Sequence, residues 1–115
     1  MNEERGQVLQ ASIEAALAHG IDVVGRRVFL HGDVAEDTIG LAIRGIYLLS
    51  GMNPVSSIEL YVSSYGGDLD EAFALHDVCR VVQAPVYTCA LGKCESAAPL
   101  ILASGQKGYR HATSN

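Results

Sequence analysis

Residues 58–78, IELYVSSYGGDLDEAFALHDV, decide the fold. Residues 57–63 alternate apolar and polar and are rich in β-branched and aromatic types, the signature of a strand with one buried face. SYGGD then turns the chain. From residue 69 to 83 the period changes to that of a helix, with Leu69, Ala72, Phe73, Cys79 and Val82 on one face and Pro85 as the stop. Strand, tight turn and helix in this order form half of a βαβ unit.

The same rhythm repeats outward. Upstream, RVFL (27–30) reads as a strand closed by HGD. Residues 33–50 read as a helix with Ile39, Ala42, Ile43, Ile46 and Leu49 on one stripe, Asp33 as its cap, and Gly51 with Pro54 as its end. Residues 7–19 read as a first helix, with Val8, Leu9, Ile13, Ala16 and Leu17 apolar and Gly20 as its stop. Downstream, VYTCAL (86–91) is a strand and GKCES a second tight turn. Ser96 to Ser104 is a short apolar helix, and KGYRHATSN starts another strand.

Strand starts near 27, 57 and 86 predict an α/β domain with a mainly parallel sheet. The 115 residues are expected to form a single, incomplete domain, 1–115, opened by an N-terminal helical segment, 1–26. A chain that finishes on a bare strand leaves a sheet edge open, so a partner or further chain is expected to cover it.

Composition excludes several classes. Hydrophobic residues make up 49% and charged residues 18%, which suits a packed core and not a disordered chain. The net charge is −5. Residues 33–77 carry one base and eight acids, and residues 78–115 four bases and one acid, with no dense basic stripe. Nucleic acid is therefore not an expected partner. No apolar run is long enough to span a membrane. The opening MNEERGQ reads as no secretory signal. Cys79, Cys89 and Cys94 are odd in number and lack a C-x-x-C pair, which predicts a reducing, cytoplasmic setting. The four histidines show no metal-ligand spacing with them.

Two strand-to-helix turns fall where parallel sheets gather ligands. In the first, Gly66 and Gly67 let another group approach the backbone closely. Asp68, Asp70 and Glu71 at the helix start oppose a phosphate, so Asp68 reads as a helix cap. In the second, Ser96 stands at a helix start, where free amides could hold an oxyanion. The same position suits an N-cap serine, and G-x-S-x-G does not match here. Cys94, two residues away, reads as a turn or core residue. Cys79 and Cys89 read as core. His76 reads as a hydrogen-bonded interior histidine, and the tyrosines form no base-stacking array.

Taken together, VFLHGDV (28–34), IELYVSSYGGDLDEAFALHDV (58–78) and APVYTCALGKCESAAPLILASGQKGYRHATSN (84–115) resemble, in order and spacing, the proteolytic subunits of the Clp protease. The resemblance runs from Arg27 to Asn115 and implies a ClpP/crotonase-like spiral of ββα units. It places Ser96 at the nucleophile position, and the amides of Gly67 and Ala97 at the oxyanion-hole positions. Gly66 and Gly67 with their strand edge would hold substrate backbone. It further implies a serine endopeptidase that cleaves unfolded polypeptides in a homo-oligomeric double ring fed by an AAA+ unfoldase. ATP would be used by that partner, with no cofactor or metal in this subunit.

The chain departs from the family pattern at three places. Tyr65 stands where the family has proline, Glu95 adds a carboxylate beside Ser96, and Ala98-Pro99 replaces a glycine-containing pair. The family's histidine and aspartate positions fall past Asn115, and none of His19, His31, His76 or His111 occupies them. Two other readings remain: a catalytically inactive ring subunit, and a crotonase-fold enzyme acting on acyl-CoA.

Overall fold

Alternation sets the sheet in the computed structural model, which describes residues 3–113. In β3 (Ile58–Ser64), Ile58, Leu60, Val62 and Ser64 are buried, while Glu59, Tyr61 and Ser63 stand half-buried on the other face. β4 (Val86–Cys94) buries Val86, Thr88 and Ala90, and β2 (Arg27–His31) buries Val28 and Leu30. β2, β3, β4 and β5 (Arg110–Ala112) run parallel in chain order. The two-residue β1 (Ile21–Asp22) adds an antiparallel edge to β2 that the sequence reading lacks. It lies inside the segment 1–26 read as helical.

α2 (Glu36–Met52), α3 (Leu69–Val81) and α4 (Ala98–Ala103) share one core with the inward strand residues. Ile39, Ala42, Ile46 and Leu49 of α2 face it, with Ile43 at its margin, as the spacing predicts. The start and end of α2 differ from expectation. Asp33 does not cap the helix. Ala35 occupies the cap position, and the Thr38 hydroxyl accepts from the Ala35 amide (3.0 Å) while donating to the Asp33 carbonyl (2.6 Å). Gly51 stays within the helix, which closes at Asn53.

In α3 the Asp68 carboxylate accepts from the Glu71 amide at 3.1 Å, so the expected cap forms. The buried stripe is Ala72, Leu75 and Cys79. Leu69 (54% exposed) and Phe73 (46% exposed) are not on it, because the stripe follows the i, i+3, i+7 positions that start at Ala72. His76 Nδ1 is buried without a hydrogen-bond partner among the described residues, against the expected interior pairing.

α1 (Glu3–His19) starts four residues before the expected helix, and its predicted apolar stripe is not covered. Val8, Leu9 and Ile13 are exposed and Ala16 is half-buried, while the side chain of Leu17 lies outside the described residues. No described helix is long and apolar enough to cross a membrane.

Arg26 ties the frame together from a left-handed backbone position (φ +57°). Its guanidinium donates to the carbonyls of Leu49 (2.8 Å), Asn53 (2.6 Å), Ser56 (2.9 Å) and Ser57 (3.1 Å). These carbonyls lie at the end of α2 and in the loop into β3, where a planar fork of donors reaches all four; that of Leu49 also accepts from the Asn53 amide at 3.1 Å. The opposite sheet face carries no helix from the core layer. Phe29 stacks on Tyr61 (5.2 Å between centroids), Tyr87 on Tyr109 (4.1 Å), and Arg27 pairs with Glu59 at 3.4 Å. Cys89 sits half-buried on this face rather than in the core. Tyr61 donates to Glu59, and that bond, with burial, raises the phenol above its ordinary range.

Candidate functional site

The glycine turn and the serine turn meet at the carboxyl ends of β3 and β4. Gly66 and Gly67 hold φ of +104° and +149°, values that side chains rarely adopt. Gly67 lies against Val34: the Val34 amide donates to the Gly66 carbonyl (2.9 Å), and the Asp68 amide donates to the Val34 carbonyl (2.8 Å). A Cβ on Gly67 would meet the Val34 oxygen at 2.3 Å, so this close approach requires glycine. The Gly66 amide is satisfied by the buried Ser64 hydroxyl at 3.0 Å.

β4 runs on through Gly92, Lys93 and Cys94, which the sequence reading assigned to a turn. Its register with β3 shifts between Val62↔Ala90 and Ser64↔Cys94, an irregularity that gives β4 extra residues opposite β3. Gly92 takes φ +71° within it. After the irregularity the Glu95 amide donates to the Ser64 carbonyl (3.0 Å), fixing the serine turn to the root of the glycine turn. Lys93 Nζ then lies 4.4 Å from the centroid of the Tyr65 ring, a cation–π contact between the two turns.

Ser96 is exposed and holds φ +57°, a left-handed conformation uncommon for a residue with a Cβ. The serine does not cap α4. Ala97 takes the cap position, and the Ser96 hydroxyl makes no hydrogen bond among the described residues. A serine with a strained backbone and no capping hydrogen bond differs from a capping serine. The amides of Gly67 and Ala97 likewise donate to no acceptor among the described residues. Gly66 brings the two turns together, since a Cβ built on it would stand 2.5 Å from the Ser96 Cβ and 3.0 Å from the Ala97 nitrogen.

The remaining chemistry at the turn is limited. Cys94 is half-buried, and burial raises its thiol above the ordinary range, which disfavours the thiolate nucleophile. Glu95 is exposed beside Ser96. No group of His, Cys, Asp and Glu able to hold a metal occurs among the described residues. Sequence reasoning missed the Val34 bridge, the β4 irregularity and the Lys93–Tyr65 contact. Gly92 beside Lys93 is the one local signal of the irregularity, and nothing local marks Val34.

Comparison with known proteins matches residues 16–115 to the family described as Clp protease. The chain is similar to ATP-dependent Clp protease proteolytic subunit 2 of Treponema pallidum, with 34% identity over 90 residues, which cover 78% of this chain and 45% of that protein. It is 33% identical over 90 residues, with the same coverage, to ATP-dependent Clp protease proteolytic subunit 2 of Treponema denticola. The chain spans about half the length of the curated relatives it matches.

Proposed function

The chain belongs to the Clp protease family, and from that membership we propose that it is a subunit of a Clp-type serine endopeptidase with Ser96 as nucleophile. The observation that carries the reading is the close contact of Gly66 with the strained, exposed Ser96, beside two amides, Gly67 and Ala97, that donate to no acceptor among the described residues. The Ser96 Oγ attacks a peptide carbonyl and passes its proton to a base. The carbonyl oxygen, now an oxyanion, accepts from the Gly67 and Ala97 amides. Collapse breaks the C–N bond, the protonated amine leaves, and water then hydrolyses the acyl-serine. Gly66 and Gly67 present the backbone edge on which an extended substrate lies.

In the family that base is a histidine paired with an aspartate. The substrates are unfolded polypeptides, the assembly a homo-oligomeric double ring in the cytoplasm, and the partner an AAA+ unfoldase that consumes the ATP. The subunit itself uses no cofactor. Glu95 beside Ser96 favours a second reading, a ring subunit without activity, because a carboxylate there opposes a developing oxyanion.

A serine-directed fluorophosphonate applied to the protein as expressed in its host, followed by peptide mass mapping, tests the reading. An adduct on Ser96 that is lost in Ser96→Ala supports it. An adduct elsewhere, or peptide cleavage that survives Ser96→Ala, overturns the nucleophile. Assembly with active Clp subunits and no adduct selects the inactive subunit.

A further inference from the structure

At the opposite end of the sheet from Ser96, where β4 and β5 begin, a groove of about 510 Å³ opens between the last turn of α3 and the loop from α4 to β5. Three cations line it: Arg80 at the end of α3, Lys107 in the loop and Arg110 at the start of β5. No carboxylate lines it. Among the described residues none of the three pairs with an acid. The chain has 8 basic and 13 acidic residues, so finding three of the bases gathered in one acid-free groove is against its average charge. Arg80 has a local role, since a cation in a last helical turn complements the helix dipole. Lys107 and Arg110 belong to a different element, and that role does not reach them. The Arg110 Nε donates to the Gly105 carbonyl at 2.7 Å, which holds the guanidinium at the rim.

We propose that this groove binds an acidic peptide segment of a partner protein. Its volume is that of a site for a ligand of a few residues and exceeds what a single inorganic anion fills. Its lining mixes the cations with the amide side chains of Gln83 and Gln106 and with apolar surface at Pro85. Carboxylates engage the cations, the glutamine amides pair with peptide backbone, and the proline surface takes a side-chain stem. Nucleotides fit less well, because no aromatic ring lines the groove to stack a base. The site is separate from the Ser96 turn, so it stands or falls independently of the peptidase reading.

The test is an NMR titration of the full chain with an acetylated hexapeptide of alternating glutamate and alanine. Its glutamine analogue and inorganic phosphate serve as comparators. The expected result is saturable shifts confined to amides of residues 79–86 and 104–110, weakened by added salt and absent with the glutamine analogue. The Arg80→Gln/Lys107→Gln double variant, altered at two exposed positions, is expected to lose about tenfold in affinity with an unchanged spectrum elsewhere. Equal binding of the glutamine analogue, undiminished binding by the double variant, or no saturable shift overturns the proposal. Binding of phosphate in place of the peptide overturns the ligand class.

Discussion

Gly66 abuts Ser96 so closely that a Cβ on the glycine would stand 2.5 Å from the serine Cβ and 2.7 Å from the Glu95 carbonyl. The Glu95 amide donates a hydrogen bond to the Ser64 carbonyl at 3.0 Å, which holds this backbone so that it cannot yield cheaply. The glycine's φ of +104° adds strain for any side chain. Gly66→Ala is therefore expected to cost ~3 kcal/mol or more in chemical denaturation, from strain and overpacking together. Gly51→Ala makes the opposite control. That glycine lies within α2, exposed, with nothing within 4 Å of an added Cβ, and the change is expected to stabilise by about 0.5–1 kcal/mol. Equal effects at the two sites would show that the contact between the turns is loose.

Arg26 places one side chain across four carbonyls from two segments. Replacing it removes charge-assisted bonds, worth more than neutral ones, from the end of α2 and the loop into β3. Arg26→Ala is expected to destabilise by roughly 2–4 kcal/mol in the same assay. Arg26→Lys is expected to recover less than half of the loss, because an ammonium lacks the planar fork. Full rescue by lysine would mean that charge at the end of α2, and not the fork, is what matters.

The sheet was legible because each buried strand alternates cleanly; Ile58, Leu60 and Val62 mark their own inward face. The α2 stripe was legible for the same reason at helical period. Features that depend on contacts distant in sequence were not. Val34 approaches Gly67 across thirty-three positions, and no local pattern announces it. Helical spacing places Leu69 and Phe73 on one face with Ala72 and Cys79, while the packing of α3 on α2 and α4 selects Leu75 in their place. β1 has two residues, too few for any period to register. At the site, residue types and the family resemblance pointed to Ser96. The left-handed backbone of that serine, which separates it from an ordinary cap, is visible only in three dimensions.

Cys79 gives the chain a test of how tightly α3 is packed. It is 7% exposed within the core, and burial pushes its thiol from an ordinary 9.0 up to about 11. The protonated form is the one the folded state favours. The folded value lies above the unfolded one, so this contribution to stability is fully present below about pH 9 and is lost as pH rises toward about 11. The denaturation midpoint of the native chain is expected to fall across that window, and that of Cys79→Ala to fall less. Under native, mildly alkaline conditions iodoacetamide is expected to label the half-exposed Cys89 first and Cys79 last, as followed by peptide mass mapping. If Cys79 were alkylated as fast as Cys89, the α3–α4 contact would have to open far more readily than a packed core allows, because only the exposed thiolate reacts.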